Sequence, residues 1–335
     1  MSTITSQPRK LTDHKYLIFD VYGTLADWET GLYNGLKPLL SRYKASQKWT
    51  KEEALNAFGS VELDLQAQYP TMLYSTLLAK AHQVLEQRLK TLSGIETDTT
   101  STQSVGGETS TPEAETSASG ASAPLTDSSL DEHTQFGNSI PQWPIFPDSS
   151  EALQRLAKHF DLIVLSNVDR ESFRYTHALL SEGYPSTHNL ADFYDSKLTT
   201  YTYPADNARQ YWHPQDTPES KSPFSAILTA QDTGCYKPAV GGFLAVLGYI
   251  RDEPSLFKFA KEGETLDEVR SKTLSVAQSL PHDHVPASGL GIASVWIDRQ
   301  SAVTCNKDPD GLQKWSWRFE TLAELADAVE KEASA

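Results

Sequence analysis

Five short apolar runs limit what this chain can fold into more than any other feature. They are "YLIF" at 16–19, "LIVL" at 162–165, "AIL" at 226–228, "LSVA" at 274–277 and "ASVWI" at 293–297. Each is rich in Ile, Val and Leu with little polar alternation, the pattern of strands covered on both faces. Each run leads to a polar cluster: Asp20; Ser166 with Asn167; the approach to Lys237; Ser279 with Asp283; Asp298 with Arg299. Helical patterns lie between them. "DSSEALQRLAKHF" (148–160) opens on Asp and Ser and spaces its apolar residues helically, and Pro238 suits the first turn of another helix. Strand and helix in alternation predict an α/β fold, a doubly wound Rossmann-like parallel sheet. Such sheets bind ligands at the carboxyl ends of their strands, where these polar clusters fall.

More chain separates the first two runs than a crossover needs. Residues 31–45, 50–69 and 71–92 read as three amphipathic helices, so an all-helical cap is expected over 30–92, inserted into a core of 1–29 and 141–335. Residues 93–140 are dominated by Ser, Thr, Gly and acids; such a stretch buries too little apolar surface to offset its ordering entropy and is expected to be disordered. It holds eight acids and no Lys or Arg, so it supplies more than half of the net charge of -15. A stretch at 196–223, with Tyr, Trp, Pro and Asp, reads as an ordered loop.

The acidic balance argues against a nucleic-acid partner, whose phosphates would be repelled. Two cysteines, Cys235 and Cys305, are too few for a disulfide framework and look inert. The first 15 residues lack the apolar core of a secretory signal, and the longest apolar run, Ala239 to Ile250, contains three glycines and is too short to span a bilayer. The expectation is a cytoplasmic protein that acts on a small molecule and not on a membrane.

If the strand ends converge, they form a nucleophilic site. Asp20 would attack and form a covalent ester, Lys237 would offset the local negative charge, and Ser166 and Thr24 would orient the carboxylate oxygens. Asp283 would pair with Lys237 or position the water that resolves the ester. A carboxylate is a modest nucleophile and serves when fixed in line and kept beside a cation. Two residues after Asp20, where a second acid could have donated a proton, stands Tyr22, whose phenol is a poor donor at neutral pH. A lone carboxylate therefore suits displacement at carbon of a group, such as halide, that leaves without a proton.

These residues resemble the haloacid dehalogenase (HAD) superfamily of hydrolases. "FDVYGTL" at 19–25 matches its first motif, "LIVLSN" at 162–167 its second, "CYKPAVGGF" at 235–243 its third, and "VAQSLPHDHVPA" at 276–287, less closely, its fourth. The Asp-x-Tyr-Gly-Thr form and the Ser-Asn pair are most similar to the 2-haloacid dehalogenase branch. The resemblance implies that Asp20 displaces halide from C2 and that water cleaves the ester to a 2-hydroxy acid. It also implies that Asn167 helps cradle the halide, that Tyr22 borders the substrate, that no cofactor is required, and that two copies pair through the cap. Three positions depart from the branch: its cap arginine has only Arg42 as a near counterpart, Phe243 stands where it has Tyr, and Leu280 where it has Asn.

Rival readings accompany each of these. Asp20 and Asn167 are residue types that also cap helices. Magnesium held by Asp20 and Asp283 would make the chain resemble the phosphatases of the superfamily. His282 and His284 flank Asp283, but His-x-His in a loop more often marks hydrogen-bonding rings than zinc, which wants three or four ligands. Aromatic residues of the cap and of 201–212 read as packing. A third alternative is a weakly catalytic protein whose acidic insert binds a partner.

Overall fold

The computed structural model describes residues 9–94, 131–186 and 189–335. The reading of the first eight residues and of most of the acidic insert, 95–130, lies outside them. Strand β1 (Tyr16–Phe19) is buried along its whole length because it has neighbours on both edges and both faces. It pairs in parallel with β2 (Asp161–Ser166) on one edge and β4 (Thr273–Ala277) on the other. Its side chains alternate between the faces, as the pleat dictates: Tyr16 and Ile18 pack with Phe243 and Val246, and Leu17 and Phe19 with the opposite core.

Adding β3 (Phe224–Thr229), β5 (Ala293–Ile297) and β6 (Trp317–Phe319) gives a six-stranded, all-parallel sheet in the order β3-β2-β1-β4-β5-β6. The chain runs outward from β1 to β3 and then crosses back to β4. The reversal falls between β1 and β4, and the crevice at their carboxyl ends is where a doubly wound sheet binds its ligand.

Of the helices between β1 and β2, the first four form the layer inserted there: α1 (Trp28–Arg42), α2 (Lys51–Gln68), α3 (Tyr74–Leu92) and α4 (Glu132–Gly137). Thr50 and Glu53 close a reciprocal capping box that starts α2. The expected disordered stretch, 93–140, is too long at its carboxyl end. Asp131 caps α4 by accepting from the amides of His133 and Thr134, and Phe136 buries its ring against Phe58 and His82. A Cβ on Gly137 would stand 2.3 Å from the Ser75 carbonyl oxygen, so the close approach of α4 to α3 requires glycine.

The remaining helices are α5 (Ser149–Leu156), α6 (Arg170–Glu182), α7 (Leu190–Tyr201), α8 (Ala230–Thr233), α9 (Gly241–Asp252), α10 (Leu266–Ser271), α11 (Val285–Gly289) and α12 (Leu322–Ala333). Two expectations need correction. Pro238 does not begin a helix; it follows a cis peptide from Lys237, and α9 starts at Gly241. The 196–223 stretch is a loop only after Tyr201, because its first six residues complete α7. Among the described residues no helix is long and apolar enough to cross a membrane.

Candidate active site

The turn after β1 positions the first carboxylate. Gly23 has φ +103, which side-chain-bearing residues rarely adopt, and a Cβ there would press on Gln278 Oε1 and Trp28 Nε1. The tight turn brings Thr24 back beneath Asp20, and Thr24 Oγ1 donates to Asp20 Oδ2 at 2.7 Å. That hydroxyl in turn accepts from the amide of Gln278, at the end of β4, at 2.8 Å. Arg299, 5% exposed, clamps the Thr24 carbonyl through Nε (3.1 Å) and Nη2 (2.8 Å) and pairs with Asp148. Arg299 was visible in the sequence only as a strand end. Its grip on the turn is set by β5 lying two strands from β1, which no local pattern records.

Lys237 is 3% exposed, and its Nζ donates to Asp20 Oδ1 at 2.7 Å, Asp283 Oδ1 at 2.8 Å and the Leu165 carbonyl at 2.9 Å. Asn167 holds the lysine's backbone from both sides, accepting from its amide at 2.7 Å and donating to its carbonyl at 3.0 Å. Asn167 therefore positions Lys237 and also lines the cavity. Ser166 Oγ and Asp283 Oδ2 are buried with no hydrogen-bond partner among the described residues, and both residues line the same cavity. All of the sequence-predicted site residues, Asp20, Tyr22, Thr24, Ser166, Asn167, Lys237 and Asp283, thus meet at the β1–β4 crevice.

One ammonium serves two buried acids, and the charges settle accordingly. Burial works against the Lys237 charge, but Asp20 and Asp283 outweigh it and raise its pKa. Asp283 is pushed up to about 7, chiefly by burial and also by the charge of Asp20, with Lys237 pulling the other way. A single cation compensates one carboxylate well and the second only in part.

The flanking histidines do not make a metal site. His284 Nε2 donates to the Ala277 carbonyl at 3.0 Å and its Nδ1 accepts from Ser294 at 2.8 Å, and burial lowers its pKa to about 4. His282 bonds Ser279 Oγ at 2.9 Å, and its pKa is lowered by burial and by Lys237. Among the described residues no group of three or more His, Cys, Asp or Glu could hold a metal ion. Burial pushes the Cys305 thiol up to about 11, so it stays protonated beside His282.

Tyr22 lines the cavity, but its hydroxyl bonds Thr176 Oγ1 at 3.1 Å, its ring meets Trp143 edge-on, and burial raises its pKa. It offers no acid to a leaving group. Arg42 grips Glu132 through two 2.7 Å bonds, and among the described residues no arginine lines the cavity. Aromatic packing holds for Tyr201, Tyr211 and Trp212, which are buried, but Trp28 and Tyr74 border the cavity.

A parallel sheet in this order with flanking helices is the fold of solved HAD-type dehalogenases. The L-2-haloacid dehalogenase of Xanthobacter autotrophicus superposes with a TM-score of 0.52 at 14% identity, covering 95% of this chain and 98% of that one; it has also been solved with chloropropionic acid covalently bound. The defluorinating L-2-haloacid dehalogenase Rha0230 gives 0.54 at 13% identity, covering 96% and 99%. The HAD-type protein YfnB of Bacillus subtilis, bound to magnesium, gives 0.51 at 13%, covering 95% and 99%. At such identities the likeness establishes the fold. No family model and no curated protein matches the chain.

Proposed function

We propose that this protein is a hydrolase in which Asp20 displaces halide from a carbon next to a carboxyl group, the chemistry of a 2-haloacid dehalogenase. One observation carries the reading: Lys237 holds Asp20 in a crevice whose neighbouring position 22 offers a buried phenol already bonded elsewhere. An Asp20 oxygen forms a bond to C2 while the carbon–halogen bond breaks and halide leaves with the electron pair, needing no proton. Water then attacks the ester carbonyl and gives one proton to Asp283; the departing alkoxide takes up the other, freeing the 2-hydroxy acid and Asp20 as carboxylate, and Asp283 returns its proton to solvent. A carboxyl near 7 is suited to accept that proton at neutral pH. Ser166, with its hydroxyl unspent, donates to the substrate. The reaction requires one small organic substrate and water, consistent with a cytoplasmic enzyme.

The test is to incubate the protein with 2-chloropropionate in EDTA and follow free halide, then to search the Asp20 peptide for an ester by mass spectrometry. Halide release with an unmodified peptide would retire the mechanism. The unpartnered Asp283 Oδ2 favours a second reading, since two carboxylates with water suffice for magnesium. Asp20 and Asp283 would hold the ion, which when bound supplies positive charge to a phosphoryl group. Phosphate-ester hydrolysis that appears with magnesium and vanishes with EDTA would favour it.

A further inference from the structure

The cavity above Asp20 has two chemically different ends. Its floor is the Asp20–Lys237–Asp283 cluster; its roof is formed by α2 and α3 through Leu55, Gly59, Glu62, Leu63 and Tyr74. At about 340 Å³ the cavity lies in the range of sites that enclose drug-sized molecules, and a three-carbon haloacid leaves most of it empty. The wall contains an unexpected residue. Gly59 lies inside α2, where glycine is less stable than alanine, yet a Cβ there would meet nothing within 4 Å. Helix packing does not require this glycine, in contrast to Gly137. Its missing side chain keeps the cavity wall open.

Glu62 lies three residues further along α2. It accepts from Gln66 Nε2 at 3.3 Å and from the Tyr74 hydroxyl, and burial pushes its carboxyl up to about 7. Lys237 is the one Lys or Arg among the described lining residues, and its donors are spent on the floor. Asn56, Ser60 and Gln66 of α2 also line this end, so the roof has neutral polar groups but no cation to receive a second anionic group.

We propose that the α2–α3 end of this cavity binds an uncharged, mainly apolar tail of several carbons on the substrate, with Gly59 leaving room for it and no cation at that end to hold a distal carboxylate. The proposal deepens the dehalogenase reading and rests on it only for the reactive end. In the full-length protein, kcat/KM for halide release from 2-chlorohexanoate should exceed that from 2-chloropropionate at least tenfold, and that from 2-chlorohexanedioate should fall at least tenfold below 2-chlorohexanoate. Gly59→Leu should bring the first ratio toward one, with Gly59→Ala in between, and Glu62→Lys should narrow the second. A first ratio near one in the parent protein, or one untouched by Gly59→Leu, overturns the tail site.

Binding separates the two ideas. Trp28 lines the cavity, so its fluorescence can report titration with hexanoate, hexanedioate and propionate in the same variants. Preference for hexanoate that Gly59→Leu removes, with no halide released from any substrate, keeps the tail site and retires the dehalogenase reading. Equal binding of all three acids overturns the tail site whatever the rates.

Discussion

Lys237 stands between two acids, and its removal should show how much it holds together. Lys237→Met leaves Asp20 and Asp283 buried and facing each other without a cation, the situation in which breaking a buried pair costs about 3 kcal/mol or more. Urea unfolding should register that loss at pH 8, and halide release should drop by a factor of about a hundred or more. Asp283 adds a pH signature. Its carboxyl, raised to about 7 by burial, accepts a proton only once ionised, so kcat should fall as pH drops below about 7. Asp283→Asn should abolish that limb and not merely lower it. A kcat that is flat from pH 5 to 8 in the parent protein would mean that another group resolves the ester.

Among the elements, Gly59 and Gly137 of the helical layer make opposite predictions. Gly137→Ala forces α4 away from the Ser75 carbonyl and should cost about 1–3 kcal/mol, whereas Gly59→Ala should add about 1 kcal/mol, since its Cβ enters open space. Chemical denaturation of the two single variants checks both signs. Elements were legible from the sequence to the extent that they stood in one buried environment. The runs at 16–19, 162–165 and 274–277 are buried on both faces and declare themselves. β6 did not, because Trp317 and Phe319 are only half-covered and Arg318 between them is exposed. α4 was hidden by the composition of the stretch preceding it, although Asp131 and Phe136 carry a cap and an anchor. The floor of the site was readable because Asp20 directly follows β1, and Lys237 and Asp283 lie in the short segments after β3 and β4. The roof was not, because Gly59 and Glu62 share a helix with the buried Leu55 and Phe58, and nothing local separates a residue facing a cavity from one facing solvent.

For the whole molecule, neutral buried histidines cost stability in acid, opposed by the raised carboxyls of Glu62 and Asp283, which favour the folded state as pH falls. Burial lowers His82, His213 and His284 to about 4 and His177 to about 3. Their folded values lie below the unfolded value of 6.5, so the stability they contribute is present above that pH and lost as pH falls toward 4. Between pH 6 and 4.5 the unfolded chain should bind up to about one extra proton per histidine, each worth about 1.4 kcal/mol per pH unit. Urea midpoints across that range test this. His177→Gln, at a ring packed among Phe173, Tyr201 and Trp212, should lower overall stability and flatten the slope by about one proton.

α4 runs back along α3, with Gly137 against Ser75 and His133 against His82. The described chain thus pauses just after α3 and resumes at the cap of α4, two neighbouring helices of one layer, so both junctions of the acidic stretch are anchored without a strand. Replacing 96–129 with a short Gly-Ser bridge should move the thermal midpoint by less than about 4 °C and leave halide release intact.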